Sequence, residues 1–260
     1  MLIKVAAVQS RLGSPLSLES KLHIFKQRPD FVCLPEYCLV GPNEPDFSRS
    51  ALGAKDNLEY LKTLSVEFST CLIGGSVVEG GHDALYNSSY IFCRGESMGR
   101  YRKLNPVDGE MNKGILPGDK LYTVEIEATK IALLICADAL NIELFRILGE
   151  REVDIIFIPT TSPLRPAESK SEKHKRDQDI YLAAARMACA YVVKTCAVGT
   201  LFGKPLQGRS LIASPWDIIK RVPYYAETDP TLLTAILDID ELREFRAKKR
   251  ARPNHQTELA

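Results

Sequence analysis

The segment KIALLICADALNIELFRILGEREVDIIFIPT (130–160) carries the clearest fold signal in the chain. Its two ends, 130–136 and 153–160, are short apolar runs rich in isoleucine, a pattern typical of buried strands. Between them, residues 140–150 place apolar side chains at the spacing of one helix face. Strand, helix and strand in this order predict a layered α/β fold with buried sheets.

Similar runs flank this segment on both sides. Apolar, β-rich runs predict strands at 3–9, 30–35, 71–78, 85–93, 120–126, 130–136, 153–160, 191–199, 208–215 and 232–239. Helical patterns lie at 17–27, 54–69, 140–150, 177–190 and 240–250. The strand 85–93 and the residues GRYRKL (99–104) are predicted to form a hairpin across RGES (94–97).

The length and composition allow one full core. The chain has 260 residues, of which 45% are hydrophobic, so we expect a single domain over 1–247 and a basic, then polar tail over 248–260. Polar or proline-rich excursions at 41–48, 104–119 and 161–177 are too short for linkers. Excursions of this kind are where sites are commonly built.

The charge balance excludes several classes of partner. With 34 basic and 33 acidic side chains, the net charge of +1 gives no electrostatic signature for nucleic acid or an anionic membrane. No apolar run approaches the ~20 residues of a membrane helix, and MLIKVAAVQS at the N-terminus does not resemble a signal peptide. We therefore expect a cytoplasmic protein whose partner is a small molecule.

The cysteines predict neither a disulfide framework nor a metal site. There are seven, an odd number, mostly in apolar strand-like contexts and without a C-x-x-C pair, at positions 33, 38, 71, 93, 136, 189 and 196. A cysteine in a core strand is ordinarily a small hydrophobic residue. Cys136 differs, because it ends a strand just before a helical pattern begins. A thiol at such an elbow lies near a helix N-terminus, which favours thiolate and can also bind an oxyanion.

The partners that could activate this thiol are a carboxylate and an amine. The four histidines (23, 82, 174 and 255) lie in polar or helical surroundings, which disfavours a Cys-His hydrolase. Glu36 follows the strand DFVCLP, and Lys103 ends the strand-like GRYRK. Such residues are commonly solvated side chains, but a base, a cation and a nucleophile at three strand ends have complementary chemistry.

Three motifs carry a family resemblance: LPEY (34–37), GRYRKLNPVDGE (99–110) and LLICAD (133–138). In this order they resemble the catalytic blocks of the nitrilase, or carbon-nitrogen hydrolase, superfamily, and most of all its amidase and carbamoylase branches. VAAVQ near the N-terminus, LYNSSYIF, DIIFIPT and GRSLIASPW add to the similarity. The resemblance covers the chain from about residue 3 to about residue 243.

The resemblance implies a four-layer αββα sandwich. It further implies Glu36 as general base, Lys103 as cationic oxyanion stabiliser and Cys136 as nucleophile. Glu110 matches the second glutamate of many members, and the backbone N–H of Ala137 would be a second oxyanion donor. A small amide or N-carbamoyl compound would be cleaved through a thioester, with no metal or organic cofactor, by a homodimer or higher homo-oligomer.

The chain also departs from the family pattern. Leu140 stands where members often carry an arginine, so a clamp for a substrate carboxylate is not expected there. After Arg186, Met187 and Cys189 replace an alanine and a glutamate. Trp-Glu follows the nucleophile of nitrile-hydrolysing members, whereas Ala137 and Asp138 follow it here, which favours amides over nitriles.

Other functions remain open at the level of sequence. The same three catalytic groups could serve acyl transfer or nitrile hydrolysis, and a scaffold protein could keep the fold without catalysis. The excursion 161–177 is a hypothetical border of the active site, because it follows the strand 153–160. Its basic residues are Lys170, Lys173, Lys175 and Arg176, which could equally form a solvated charge run.

Overall fold

The computed structural model describes residues 1–81 and 84–251. Its strands are β1 (Leu2–Arg11), β2 (Phe31–Cys33), β3 (Cys71–Ile73), β4 (Val77–Gly81), β5 (Ala84–Cys93), β6 (Glu96–Arg102), β7 (Tyr122–Ile126), β8 (Thr129–Leu133), β9 (Ile155–Thr160), β10 (Tyr191–Leu201), β11 (Lys204–Leu206), β12 (Leu211–Ala213), β13 (Ile218–Arg221) and β14 (Thr231–Asp238). Its α-helices are α1 (Leu18–Gln27), α2 (Phe47–Leu52), α3 (Ala54–Glu67), α4 (Asp108–Met111), α5 (Ile142–Glu150), α6 (Lys170–Asp177), α7 (Ala183–Ala188) and α8 (Ile239–Ala251). None of these helices is long and apolar enough to cross a membrane.

The strands form two sheets that share one core. In the first, β14, β1, β2, β3 and β5 are successive neighbours, and β4 and β6 also pair with β5. In the second, β7, β8, β9, β10, β12 and β13 are successive neighbours. The sheets join where the end of β1 pairs with β10, and between them the rings of Phe31 and Phe157 lie 5.8 Å apart.

Successive side chains of a strand contact two different layers, so each sheet is covered by helices on its outer face. In β1, Val5 and Ala7 belong to the core between the sheets, whereas Ala6 and Val8 belong to a second core with Leu61 of α3. Successive side chains of a strand point to opposite faces, so a strand buried on both faces is apolar throughout. Helices α1 and α3 cover the first sheet, and α5 and α7 pack on each other over the second. The expected αββα sandwich is confirmed.

Some predicted boundaries are wrong. The run 71–78 is two strands, because the chain turns at Gly75, whose φ is +62°. A Cβ at Gly75 would lie 2.1 Å from the carbonyl oxygen of Pro35, so the turn packs tightly against the LPEY segment. The excursion 161–177 ends in α6, so the helical region begins earlier than predicted. Helix α8 continues through Ala251, past the expected start of the tail, and residues 252–260 lie outside the described residues.

The disulfide expectation is also wrong. Cys71 and Cys93 form a disulfide between the antiparallel neighbours β3 and β5. The two residues are directly opposite in the strand register, a relation that sequence spacing does not reveal. Within the described residues, no group of three or more histidine, cysteine, aspartate or glutamate side chains is arranged to hold a metal ion.

Candidate active site

The three sequence-predicted catalytic residues meet at one end of the two sheets. Glu36 follows β2 and Lys103 follows β6 in the first sheet, while Cys136 follows β8 in the second. All three line one pocket, together with Glu110 from the short helix α4. The strand ends of both sheets therefore supply the site.

Lys103 is the centre of a buried ionic cluster. Its ammonium donates to Glu36 Oε1 at 2.8 Å, and to the two carboxylate oxygens of Glu110 at 2.9 and 2.7 Å. The lysine is 2% exposed and Glu36 is fully buried. Burial alone would lower the pKa of Lys103, but the charges of Glu36 and Glu110 and the hydrogen bond to Glu110 outweigh it and raise that pKa above its ordinary value. Lys103 is thus held as an ammonium.

Glu110 is held as a carboxylate. Burial would raise its pKa, but the attraction of Lys103 and several hydrogen bonds lower it below its ordinary value. The backbone N–H of Val107 donates to its Oε2 at 2.8 Å, and the Tyr37 hydroxyl donates to its Oε1. Glu110 accordingly fixes the position of Lys103.

Asn87 completes this cluster, and sequence reasoning missed it. Its Nδ2 donates to Glu36 Oε1 at 2.9 Å and to Glu110 Oε1 at 3.1 Å, so one amide bridges both carboxylates. The available signal was an asparagine inside the strand LYNSSYIF, where β-propensity disfavours it. Tyr37, the last residue of LPEY, was missed in the same way.

Thr161 links the buried carboxylate of Glu36 to the thiol of Cys136 and was also missed as an individual residue. Its N–H and its hydroxyl donate to Glu36 Oε2 at 2.8 and 2.5 Å. Its carbonyl oxygen accepts a hydrogen bond from the Cys136 thiol, with 3.2 Å between Sγ and the oxygen. Thr161 directly follows β9, which pairs with β8 in parallel, so the register brings it beside the Cys136 elbow.

Cys136 opens a 3-10 helix, Cys136–Leu140, with a positive φ of 48°. This left-handed conformation turns the chain sharply out of β8 and presents the thiol to the pocket. The expectation that the elbow favours thiolate is wrong for the unliganded protein. Burial and the nearby charge of Glu36 raise the pKa of the Cys136 thiol, and Lys103 lowers it only in part. The raised pKa favours the neutral thiol, so Cys136 would need a base in order to act as a nucleophile.

Asp138 braces the elbow against the lysine segment. This fully buried carboxylate accepts from the N–H of Ile135 at 2.9 Å and from the Tyr101 hydroxyl at 2.8 Å. It also accepts from the N–H and the side-chain amide of Asn105, both at 2.8 Å. Because Asn105 lies two residues after Lys103, one carboxylate connects the segments that carry Cys136 and Lys103.

The pocket has a volume of about 310 Å³. Its floor is formed by the buried polar groups described above, and its walls are largely apolar. The apolar wall residues are Phe47, Val107, Pro163, Leu201, Phe202 and Leu206. Two further lysines, Lys113 and Lys204, also line it. His23 and His174 are not among the lining residues, and His82 and His255 lie outside the described residues.

The excursion 161–177 borders the pocket only at its start. Thr161 and Pro163 line the cavity, whereas the four basic residues of the excursion do not. Lys173 pairs with Glu227 at 2.5 Å and Arg176 pairs with Glu168 at 2.8 Å. The hypothesis that the excursion borders the site therefore holds for its first residues but not for its four basic residues, two of which form ion pairs elsewhere.

Residues 6–247 match the sequence model of the carbon-nitrogen hydrolase family. The chain therefore belongs to this family and is an enzyme of the hydrolase class. The omega-amidase NIT2 of Mus musculus is 27% identical over an alignment of 242 residues, and the match covers 85% of this chain and 81% of that protein.

Solved structures share the fold. A carbon-nitrogen hydrolase from Helicobacter pylori aligns with a TM-score of 0.79 and 20% identity, over 97% of this chain and 96% of that one. An amidase from Nesterenkonia sp. aligns with a TM-score of 0.74 and 18% identity, over 95% of each chain. One structure of a variant of that amidase has the acetamide moiety of fluoroacetamide added covalently to its active-site cysteine.

Proposed function

We propose that the chain hydrolyses the C–N bond of a small amide or N-carbamoyl compound through a thioester on Cys136. The observation that carries this proposal is the joint position of three groups. A thiol, the buried carboxylate of Glu36 and the ammonium of Lys103 line one pocket of about 310 Å³. A nucleophile, a base and an oxyanion stabiliser are the set that amide hydrolysis through a covalent intermediate requires.

Glu36 is the base in this proposal, rather than Glu110. Of the two carboxylates, Glu36 exerts the larger electrostatic effect on the thiol of Cys136. Glu110 accepts five hydrogen bonds, one each from Tyr37, Asn87 and Val107 and two from the Lys103 ammonium, and so holds the lysine in place. The raised pKa of Lys103 excludes it as a base and suits it to stabilise negative charge.

The first half of the reaction forms the thioester. Glu36 accepts the thiol proton while the sulfur bonds to the amide carbon, and the carbonyl electrons move to oxygen. The Lys103 ammonium and the Ala137 N–H stabilise this oxyanion, since amides in the first turn of a helix lack partners within the helix. The C–N bond then breaks, and Glu36 returns the proton to the leaving nitrogen, which departs as ammonia or an amine.

The second half regenerates the enzyme. Glu36 takes a proton from water while the water oxygen bonds to the thioester carbon. The carbonyl oxygen becomes a second oxyanion, in the same position as the first. The C–S bond breaks, the sulfur recovers the proton from Glu36, and the carboxylic acid leaves. Thr161 positions Glu36 in both halves, because both of its donors contact Glu36 Oε2.

The relatives support this chemistry. The NIT2 relatives are described as omega-amidases, and the active-site cysteine of the Nesterenkonia amidase forms a covalent adduct with an amide compound. Preference for amides over nitriles is part of the proposal, because the small Ala137 follows the nucleophile. The single domain over 1–247, the homo-oligomer and the cytoplasmic location stay predictions.

An ammonia-release screen over small amides, N-carbamoyl compounds and matched nitriles tests the proposal. We expect release from at least one amide or carbamoyl compound, and no release above a blank from Cys136→Ala. Cys196→Ala, which changes a buried cysteine outside the pocket lining, is the matched control and should retain turnover. Turnover by Cys136→Ala, or a nitrile preferred by tenfold or more in kcat/KM, would contradict the assignment.

A further inference from the structure

Helix α1 carries most of its large apolar side chains on the outside of the protein. Of its four such residues, only Ile24 is buried against the first sheet. Leu18, Leu22 and Phe25 are 73%, 49% and 52% exposed. A helix that covers a sheet ordinarily turns its apolar residues inwards and its polar residues to water. Helix α1 therefore presents an apolar surface that its own chain leaves uncovered.

The three exposed residues form one continuous surface, because their spacing of four and three residues places them on one side of the helix. We call them the α1 stripe: Leu18, Leu22 and Phe25. The two flanking sides of the helix are already in contact with the rest of the chain. On one side, Lys21 pairs with Glu67 of α3 at 2.8 Å, and on the other side His23 lines a groove with Leu232 of β14. The α1 stripe lies between these contacts and faces outwards.

The charged residues beside the α1 stripe are self-complementary. Glu19 lies in the first turn of α1 and Lys26 in the last turn, and both are exposed. Because they are seven residues apart, which is about two helical turns, they lie on the same edge of the stripe. Two copies of α1 in antiparallel order would place the acidic end of each helix opposite the basic end of the other. In parallel order, like charges would face each other.

We propose that the α1 stripe is an interface between two copies of this chain, whose α1 helices pair antiparallel about a two-fold axis at Leu22. A two-fold interface uses the same patch on both subunits, so Leu18 of each copy packs against Phe25 of the other. Three apolar side chains per copy cover less than the roughly 800 Å² per partner of a standard interface, so the association is weak and depends on protein concentration.

A second copy fits this surface better than a membrane does. A helix that lies on a membrane is rich in lysine and arginine beside its apolar face. The exposed edge of the α1 stripe instead carries one acid and one base, Glu19 and Lys26, which match a second α1. The interface is also separate from the catalytic pocket, because no residue of α1 lines it. The inference therefore does not depend on the proposed reaction.

Sedimentation velocity at increasing protein concentration measures this association. The mass of the wild type should rise to at least twice that of Leu22→Lys, because in the variant two lysines face each other at the two-fold axis. Any other interface of the chain is common to both proteins, so the comparison isolates α1. Leu52→Lys, which changes a 76% exposed leucine of α2, is the matched control and should associate like the wild type.

Charge reversal tests the antiparallel order. Glu19→Lys and Lys26→Glu each place like charges opposite each other, and each should raise the dissociation constant by about tenfold, because the two-fold axis doubles the loss of an exposed ion pair. The double variant Glu19→Lys/Lys26→Glu restores opposite charges and should associate like the wild type. Since salt screens exposed charges, the differences between these variants should decrease in about 0.5 M NaCl.

Three results would overturn the inference. The first is an equal mass of wild type and Leu22→Lys at every concentration. The second is an equal mass together with co-sedimentation of the wild type, but not of Leu22→Lys, with phosphatidylglycerol vesicles, which would assign the stripe to a lipid surface. The third is a double charge variant that associates no better than the single variants, which would exclude antiparallel pairing. Circular dichroism verifies that each variant is folded.

Discussion

Two of the clusters in which buried carboxylates meet cations can be compared, one around Lys103 and one around Asp154. Asp154 precedes β9, is 1% exposed, and accepts hydrogen bonds from the guanidinium groups of Arg243 and Arg246 at 2.7–3.3 Å. Arg246 also donates to the backbone carbonyls of Cys189, Glu152 and Val153. This second cluster therefore ties α8 to the ends of neighbouring elements.

The Asp154 cluster is suited to stabilising the fold, whereas the Lys103 cluster is suited to catalysis. The cavity beside Asp154 is larger, at about 440 Å³ against about 310 Å³, and richer in charge. Its cations are mainly arginines whose planar forks are committed to carboxylate and carbonyl oxygens, and its lining contains no cysteine. In the pocket, a lysine acts as a compact point charge beside a thiol and a carboxylate. Neither size nor charge identifies the active site; the combination of residue types does.

The largest effect is expected in the Lys103 cluster. Glu36→Gln keeps the size of the side chain but removes the proposed base, and Lys103→Ala removes the cation proposed to stabilise the oxyanion. Each should lower kcat by at least ~100-fold, the scale of a lost general base or oxyanion donor. Steady-state kinetics on the best substrate of the screen measure this, with circular dichroism to verify the fold. Near-normal kcat in either variant would remove that residue from the mechanism.

The opposite outcome is expected in the Asp154 cluster. Asp154→Asn leaves the charge of buried Arg246 without its counter-ion, which should cost about 3 kcal/mol of unfolding free energy. The folded variant should keep wild-type kcat, because Asp154 does not line the pocket. Urea unfolding monitored by fluorescence gives the stability. The exposed pair of Glu152 with Arg250 is the control, and Glu152→Gln should change stability by under about 0.5 kcal/mol. If folded Asp154→Asn had a lower kcat than the wild type, the conclusion that the Asp154 cluster serves only stability would be contradicted.

Thr161 offers a finer test of how the base is held. Thr161→Val removes the hydroxyl that donates to Glu36 but keeps the backbone N–H and carbonyl. Since a hydrogen bond to a charged group contributes about 1.5 kcal/mol, kcat should fall roughly tenfold with little change in KM. Thr161→Ser keeps the hydroxyl and should recover most of the rate. Equal losses in the valine and serine variants would indicate a packing role instead.

The smallest effect concerns pH. The pKa of Glu110 is lower in the folded protein than its ordinary value, chiefly because Lys103 outweighs the opposing effect of burial. The resulting stability is present above the ordinary carboxyl pKa of about 4.3 and is lost as pH falls through the lower folded value. Wild type should therefore lose stability more steeply than Glu110→Gln below about pH 4.3. If the unfolding free energies of wild type and Glu110→Gln changed equally with pH across that range, the ion pair of Glu110 with Lys103 would be contradicted.

The amino-acid sequence by itself determined the layers and supplied the prediction of which groups react. Alternating and uniformly apolar runs predicted the buried strands, because a strand covered on both faces must be apolar throughout. The strand ends at Glu36, Lys103 and Cys136 were readable from local pattern, and the order of their motifs led to the family. These features depend on short stretches of chain, so the sequence displays them directly.

Only the tertiary structure decided which residues hold and tune the reactive groups. Asn87 bridges Glu36 and Glu110, and Thr161 joins the base to the thiol, through contacts between residues far apart in the chain. The disulfide of Cys71 with Cys93 depends on strand register in the same way. The raised pKa of the Cys136 thiol was not predicted, because the helix terminus is a local feature, whereas burial and the charge of Glu36 act on the thiol only when the two sheets meet.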